Sequence, residues 1–198
     1  MKVVRYLLLG ALCFAISQIF IRIPLLNRLI EESRFIIFYQ NNILFTGFLI
    51  ALSAGVFEEG GRFFFKKILI GPKESAALEP FLFGLGHGLC EAIYLLGPFV
   101  FVYPLTMLLP AIFERLIAIV LHISFSFIIW NGFQKNEPFK YLILAMVAHT
   151  LVDFSIPLGQ MANSSSLLWL LILSQSLLLF IYSLYSLKFY RRPLHEKD

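Results

Sequence analysis

Residues 104–131 read PLTMLLPAIFERLIAIVLHISFSFIIWN, an apolar run whose ionisable groups are Glu114, Arg115 and His122. An α-helix needs roughly 20 such residues to cross the hydrocarbon region of a bilayer. Comparable runs recur along the whole chain, which predicts six spans at about 3–21, 41–66, 78–97, 104–131, 139–158 and 166–188. The predicted fold class is therefore all-α, a polytopic membrane helix bundle of about six transmembrane helices.

The overall composition agrees with this prediction. Of the 198 residues, 59% are hydrophobic and only 14% are charged, whereas soluble domains carry about 25% charged residues. The spans use almost all of the length, so we expect a single integral membrane domain over residues 1–198. The segment 22–40 mixes charges with Leu, Ile and Phe at helical spacing, which predicts one additional helix lying in the membrane interface.

The distribution of Lys and Arg predicts the orientation, because cytoplasmic loops carry an excess of these residues. With the N-terminus inside, only Arg22, Arg28 and Arg34 fall on the opposite side. We therefore expect both termini in the cytoplasm and the chain in a bacterial inner (plasma) membrane. The net charge of +4 predicts contact with anionic lipid headgroups and no nucleic-acid partner. The basic residues predicted to be cytoplasmic are Lys2, Arg5, Arg62, Lys66, Lys67, Lys73, Lys135, Lys140, Lys188, Arg191, Arg192 and Lys197.

Three histidines and five carboxylates fall inside the predicted spans. An ionisable side chain in the hydrocarbon region costs at least about 3 kcal/mol, so such residues usually belong to a functional site. Glu58, His87, His122 and His149 lie on four different spans at a similar predicted depth, which indicates one polar cluster that opens toward the cytoplasm. The full set is Glu58, Glu59, His87, Glu91, Glu114, His122, His149 and Asp153.

Two of the motifs pair acids with basic groups one helical turn away. In VFEEGGR (56–62), Arg62 lies four residues after Glu58 and three after Glu59, offsets that share a helix face. We expect one carboxylate to pair with Arg62 and the other to be free for chemistry. In the run GLGHGLCEAI (84–93), glycines flank His87, and Glu91 is placed to accept its ring N–H.

The later motifs follow the same spacing. His149 and Asp153 form another i, i+4 pair, which could stabilise a developing oxyanion, or in which Asp153 could simply orient His149. Glu114, Arg115 and His122 share the fourth span; Arg115 is predicted to pair with an acid, and Glu91, Glu114 and His122 are candidates for additional site residues.

These motifs, in this order on successive helices, resemble the glutamate-type intramembrane proteases, which include the CAAX prenyl endopeptidase (Abi) and PrsW families. Within that group, the run at 84–93 and the Glu-Arg…His pattern at 114–122 are most similar to the YhfC family of membrane peptidases. The resemblance covers roughly residues 45–155.

The resemblance implies a metal-independent intramembrane endopeptidase that hydrolyses a peptide bond of a membrane-embedded or lipidated substrate. It implies that Glu58 activates a water with help from His87, that Glu59 and Arg62 hold that helix end together, and that His149 and Asp153 stabilise the oxyanion. No cofactor is expected in this mechanism.

Other classes of function fit the same residues. An intramembrane zinc metalloprotease could use His87, His122 and His149 as ligands together with Glu58 or Asp153. A proton-coupled carrier could use the carboxylates and histidines as a relay, and a membrane scaffold could use them to bind a partner. A metal analysis of the purified protein would separate the first of these from the metal-independent mechanism.

Overall fold

A computed structural model describes residues 2–72 and 75–190, and the regular elements of this part of the chain are all helices. Six of them are long and apolar enough to cross a membrane, as the sequence predicted. The seventh is a short helix between the first and second spans. In chain order the helices are α1 (Val3–Glu31), α2 (Ser33–Asn41), α3 (Ile43–Ile70), α4 (Leu78–Phe99), α5 (Leu105–Gln134), α6 (Pro138–Met161) and α7 (Ser165–Tyr190).

The first span is longer than the sequence predicted. Helix α1 does not end near residue 21 but continues to Glu31 through a π-helical segment, Ala15–Arg22. A local π-helical turn is one of the ways in which a membrane helix accommodates a proline, and Pro24 lies two residues after the end of this segment. The predicted interfacial segment 22–40 is therefore divided, and only α2 is a separate helix.

The six spans alternate in direction, which defines two faces of the bundle. We call the near face the one where α1 begins, and the far face the one where α1 ends. The described chain begins and ends on the near face, because the number of spans is even. Among the basic residues predicted to be cytoplasmic, Lys73, Arg191, Arg192 and Lys197 lie outside the described residues.

Helices α1 and α4 approach each other at their backbones. A Cβ atom added to Gly86 would lie 2.1 Å from the carbonyl oxygen of Leu7, and one added to Gly10 would lie 2.0 Å from that of Phe83. Small residues permit such close approach between membrane helices. This packing fixes the position of His87, the neighbour of Gly86.

A dense apolar layer fills the near-face half of the bundle. Lys66 is buried there, with its Nζ donating to the carbonyl oxygen of Gly71 at 2.8 Å and lying 5.5 Å from the centre of the Trp130 ring. This layer separates the polar cluster described below from the near face. Its buried members include Phe63, Phe65, Phe83, Phe125, Ile129 and Trp130.

Candidate active site

The four polar residues predicted to share one depth do meet in the structure. Glu58, His87, His122 and His149 each lie near the midpoint of their helix, and all four side chains are buried. They come from α3, α4, α5 and α6. Their contacts place one polar cluster at the middle of the bundle, where an unpaired ionisable group would be most costly.

Glu58 lies at the centre of this cluster. Its Oε2 is 3.0 Å from Nε2 of His87 and 3.8 Å from Nδ1 of His122. Its Oε1 accepts a hydrogen bond from Nε2 of Gln18 and lies 3.9 Å from Nε2 of His149. The carboxylate thus has contacts from every helix that contributes to the cluster.

Glu59 forms a separate ion pair beside Glu58. Nη1 of Arg62 donates to both carboxylate oxygens of Glu59 at 2.8 Å, and both side chains are fully buried. Nδ1 of His149 lies 2.8 Å from Oε1 of Glu59, and the ring of Phe125 stacks on that of His149 at a centroid distance of 4.7 Å. Arg62 therefore pairs with the second glutamate, and His149 is held by Glu59.

Glu91 contacts a different histidine from the one that the sequence predicted. Its Oε2 accepts from Nε2 of His122 rather than from His87, and its Oε1 accepts from Arg115 at 2.7 Å. Arg115 also donates to Glu114, which is the outermost member of this group. The prediction failed here because His87 points to Glu58 on the neighbouring helix α3, which leaves Glu91 to reach across to α5.

The protonation of His122 follows from its two neighbours. Nη2 of Arg62 lies 3.3 Å from Nδ1 of His122, and an arginine can only donate. Nδ1 therefore carries the lone pair, and the N–H on Nε2 donates to Glu91. The ring nitrogen that faces Glu58 is thus the unprotonated one, as a metal ligand requires, and a metal ion bound to it would replace the contact of its lone pair with Arg62.

Asp153 lies at the edge of the cluster. Its Oδ2 is 3.8 Å from Nε2 of His149, which is too long for a hydrogen bond, and its side chain is 34% exposed. Glu59, not Asp153, therefore orients the His149 ring. Asp153 faces a cavity of about 250 Å³ near the far face, lined also by Arg22, Tyr39 and Gln160. The sequence predicted an opening on the side of the termini, and this cavity lies on the opposite side.

Two residues of α1 were missed by the sequence analysis. Gln18 is buried against Glu58, and Nη1 of Arg22 donates to Oε1 of Gln18 at 3.1 Å. Arg22 had been placed outside the first span. The signal that could have revealed them is the polar pair Ser17-Gln18 inside an otherwise apolar run.

The donor atoms of the cluster fit a metal ion. Glu58, His87 and His122 each offer one ligand atom, and these atoms lie within 4.8 Å of one another. Around a tetrahedral zinc ion with bonds of about 2.0–2.1 Å, ligand atoms are about 3.3 Å apart, and the two Glu58–histidine distances of 3.0 and 3.8 Å bracket that value.

Two of the three histidines also make the hydrogen bond that is typical of a metal ligand. Such histidines usually donate the N–H of the other ring nitrogen to a carboxylate, as His122 does to Glu91 and His149 to Glu59. His87 differs, because its buried Nδ1 has no hydrogen-bond partner among the described residues. His122 and His149 are thus each oriented by a carboxylate other than Glu58, as metal-binding histidines usually are.

The chain matches one family in two overlapping segments. The model of the YhfC intramembrane metalloprotease family matches residues 2–109 and 100–173, which include every residue of the cluster. No curated protein matches the chain, and no solved structure matches it. The family description indicates an intramembrane protease and favours a metal-dependent mechanism over the metal-independent one, while the predicted relation to the glutamate-type proteases stays a prediction. The chain belongs to the YhfC intramembrane metalloprotease family.

Proposed function

We propose that this protein is a metal-dependent protease that hydrolyses a peptide bond within the membrane, with Glu58, His87 and His122 as ligands of a zinc ion. The observation that carries this proposal is the convergence of one carboxylate and two imidazoles, whose ligand atoms lie within 4.8 Å of one another. His149 is a fourth candidate ligand, because its Nε2 faces Glu58 at 3.9 Å. The family description supports the same class of enzyme.

A bound zinc ion would supply Lewis-acid polarisation of the scissile carbonyl and activation of a water molecule. The protein supplies the orientation of the ligands. Glu91 holds the ring of His122 through Nε2, and Arg115 holds Glu91 at 2.7 Å. Glu59 holds the ring of His149 through Nδ1, and Arg62 holds Glu59 at 2.8 Å. Each of these histidines thus belongs to a chain of imidazole, carboxylate and guanidinium.

Asp153 is the candidate proton acceptor. It is the carboxylate of the cluster that faces the cavity near the far face, and it lies 3.8 Å from Nε2 of His149. A water molecule that enters through this cavity meets Asp153 before it meets Glu58. Asp153 is therefore placed to take a proton from the attacking water and to return it to the leaving amine, as a general base and acid does.

The depth of the cluster supports a substrate within the bilayer. Glu58 and the three histidines lie near the midpoints of their helices, so a scissile peptide bond must reach about half the thickness of the hydrocarbon region, roughly 15 Å. A membrane-embedded peptide segment can reach this depth, and so can a peptide anchored by a lipid.

The metal-independent mechanism implied by the sequence resemblance is the second candidate. The contact of 3.0 Å between Nε2 of His87 and Oε2 of Glu58 favours it, because a carboxylate–imidazole pair can activate a water without a metal ion. In that mechanism Glu58 is the base rather than a ligand.

Elemental analysis combined with a cleavage assay separates the two mechanisms. The purified protein in mixed micelles is assayed against a panel of tagged single-span membrane peptides, before and after treatment with a zinc chelator. We expect about one zinc ion per chain, loss of cleavage on chelation, recovery with added zinc, and loss of both metal and cleavage in His122→Ala.

A matched control is Gln175→Leu, which removes a polar contact to Ser155 on the interface between α6 and α7. This variant should retain both metal and cleavage. Full cleavage by metal-free protein would contradict the metal-dependent mechanism. Absence of cleavage for the whole panel, with metal bound, would favour a carrier or a scaffold.

A further inference from the structure

The π-helical segment of α1 carries a side chain that contacts the proposed metal ligand directly. Gln18 lies in the segment Ala15–Arg22, is only 3% exposed, and donates from its Nε2 to Oε1 of Glu58. A π-helical turn within an α-helix is frequently found at a functional site. Here it brings an uncharged amide to the centre of a cluster otherwise made of carboxylates, imidazoles and guanidinium groups.

Arg22 determines which end of the Gln18 amide faces Glu58. Nη1 of Arg22 donates to Oε1 of Gln18 at 3.1 Å, and an arginine offers no acceptor. The amide oxygen therefore faces Arg22, so the amide nitrogen must face Glu58. Arg22 itself is fixed by α3, because its Nη2 donates to the carbonyl oxygen of Ile50 and its Nε to Oγ of Ser53, both at 2.9 Å.

We infer that Gln18 is a positioning residue of the active site, which holds Oε1 of Glu58 so that Oε2 faces His87 and His122. This inference rests on the proposed function. Among the described residues of α1, Gln18 is the one that donates to Glu58, so loss of its amide would leave the rotation of the Glu58 side chain unfixed on that side. Arg22 acts one step further away, since it reaches Glu58 only through Gln18.

Cobalt binding tests this role apart from catalysis, because the visible absorption of protein-bound Co²⁺ reports its ligands and their geometry. The full-length metal-free protein is titrated with Co²⁺ as wild type, Gln18→Leu, Arg22→Met, Arg22→Lys and the double variant Gln18→Leu/Arg22→Met. The control is again Gln175→Leu, the same substitution at a glutamine remote from Glu58.

We expect Gln18→Leu to bind Co²⁺ about 10- to 100-fold more weakly than wild type, the range seen when an outer partner of a metal ligand is removed, with a changed absorption spectrum. Arg22→Met should weaken binding less, and Arg22→Lys, which keeps a donor for Gln18, should restore much of the loss. The double variant should bind no more weakly than Gln18→Leu alone, because both act through the same contact.

The outcomes separate this inference from the proposed function. Wild-type affinity and spectrum in Gln18→Leu would overturn the positioning role. If wild type itself binds no Co²⁺ or zinc, the metal-dependent function fails, and the role of Gln18 is decided by cleavage. Loss of cleavage in Gln18→Leu but not in Gln175→Leu would then support the positioning role of Gln18. Cleavage by Gln18→Leu equal to that by wild type would overturn that role. If Gln18→Leu does not fold, the two Arg22 variants take its place. Weaker Co²⁺ binding in Arg22→Met than in Arg22→Lys would support the positioning role, and equal binding in the two would overturn it.

Discussion

Nδ1 of His149 lies 2.8 Å from Oε1 of Glu59, although the two residues are 90 positions apart in the sequence. This contact joins α3 and α6 at the depth of the candidate active site. It also explains why the chain has two adjacent glutamates there, since Glu58 faces the histidines and Glu59 holds one of them in place. The two acids can therefore be distinguished by experiment.

Replacing Glu59 by Gln should lower stability more than replacing Glu58 by Gln. Arg62 is fully buried and pairs with Glu59, and removal of one partner of a buried ion pair costs about 3–5 kcal/mol. Glu58→Gln leaves that pair intact and should abolish cleavage while the protein stays folded. Thermal unfolding in detergent measures the difference. Equal melting temperatures for the two variants would contradict the assigned pairing.

Glu91→Gln should weaken metal binding without removing a proposed ligand. Glu91 accepts from His122 and is itself held by Arg115, and loss of such an outer partner typically costs about 10- to 100-fold in metal affinity. Zinc competition titration measures this change. Glu114→Gln is the control, because among these groups Glu114 contacts only Arg115, and it should bind zinc nearly as wild type does. A larger loss in Glu114→Gln than in Glu91→Gln would reverse the two roles.

Gly86→Ala should separate α1 from α4 and destabilise the bundle. The added Cβ would lie 2.1 Å from the carbonyl oxygen of Leu7, which backbone movement must relieve at a cost of about 1–3 kcal/mol or more. Gly97→Ala is the matched control, because nothing lies within 4 Å of a Cβ at that position. Thermal unfolding should show a lower midpoint for Gly86→Ala alone, and an unchanged midpoint would refute the close packing.

The cavity near the far face predicts the side from which a water-soluble reagent reaches the site. In a protein whose Cys13 and Cys90 are replaced by Ala, Asp153→Cys and Glu137→Cys should react with a membrane-impermeant maleimide from opposite sides of the membrane. Asp153 faces the far-face cavity, and Glu137 is exposed between α5 and α6 on the near face.

Labelling of intact and permeabilised cells distinguishes the two sides whichever orientation the protein has. Reaction of both cysteines from the same side would contradict access through the far face. If the termini are cytoplasmic, as the basic residues predict, Asp153→Cys should react in intact cells.

The sequence was sufficient to predict the six spans, apart from the end of the first one, and the shared depth of Glu58 and the three histidines. Long apolar runs fix the number of spans, and the cost of an ionisable group in lipid predicts that Glu58 and the three histidines face one another. These inferences depend on position along each helix, which the sequence gives directly. They do not depend on the rotation of one helix relative to another.

The contact partners of each residue could not be predicted, because they depend on the rotation of one helix relative to another. Spacing along one helix pairs Glu91 with His87, whereas in the structure both reach other helices, Glu91 to His122 and His87 to Glu58. The role of Gln18 was missed because an uncharged residue gives little signal in an apolar run. Arg22 was missed because its charge, followed by Pro24, is typical of the end of a span rather than of a π-helical turn inside one.

The mid-bilayer position of Glu58 and the histidines determines what would remain of a spanning substrate. Cutting a helix of about 20 residues at its centre leaves two apolar stubs of about ten residues, each covering only about 15 Å of hydrocarbon. Neither stub is long enough to anchor its half of the substrate across the bilayer. One cleavage would thus release the two halves of the substrate toward opposite sides of the membrane. Because the halves would then be separated, reversal of the reaction would be negligible.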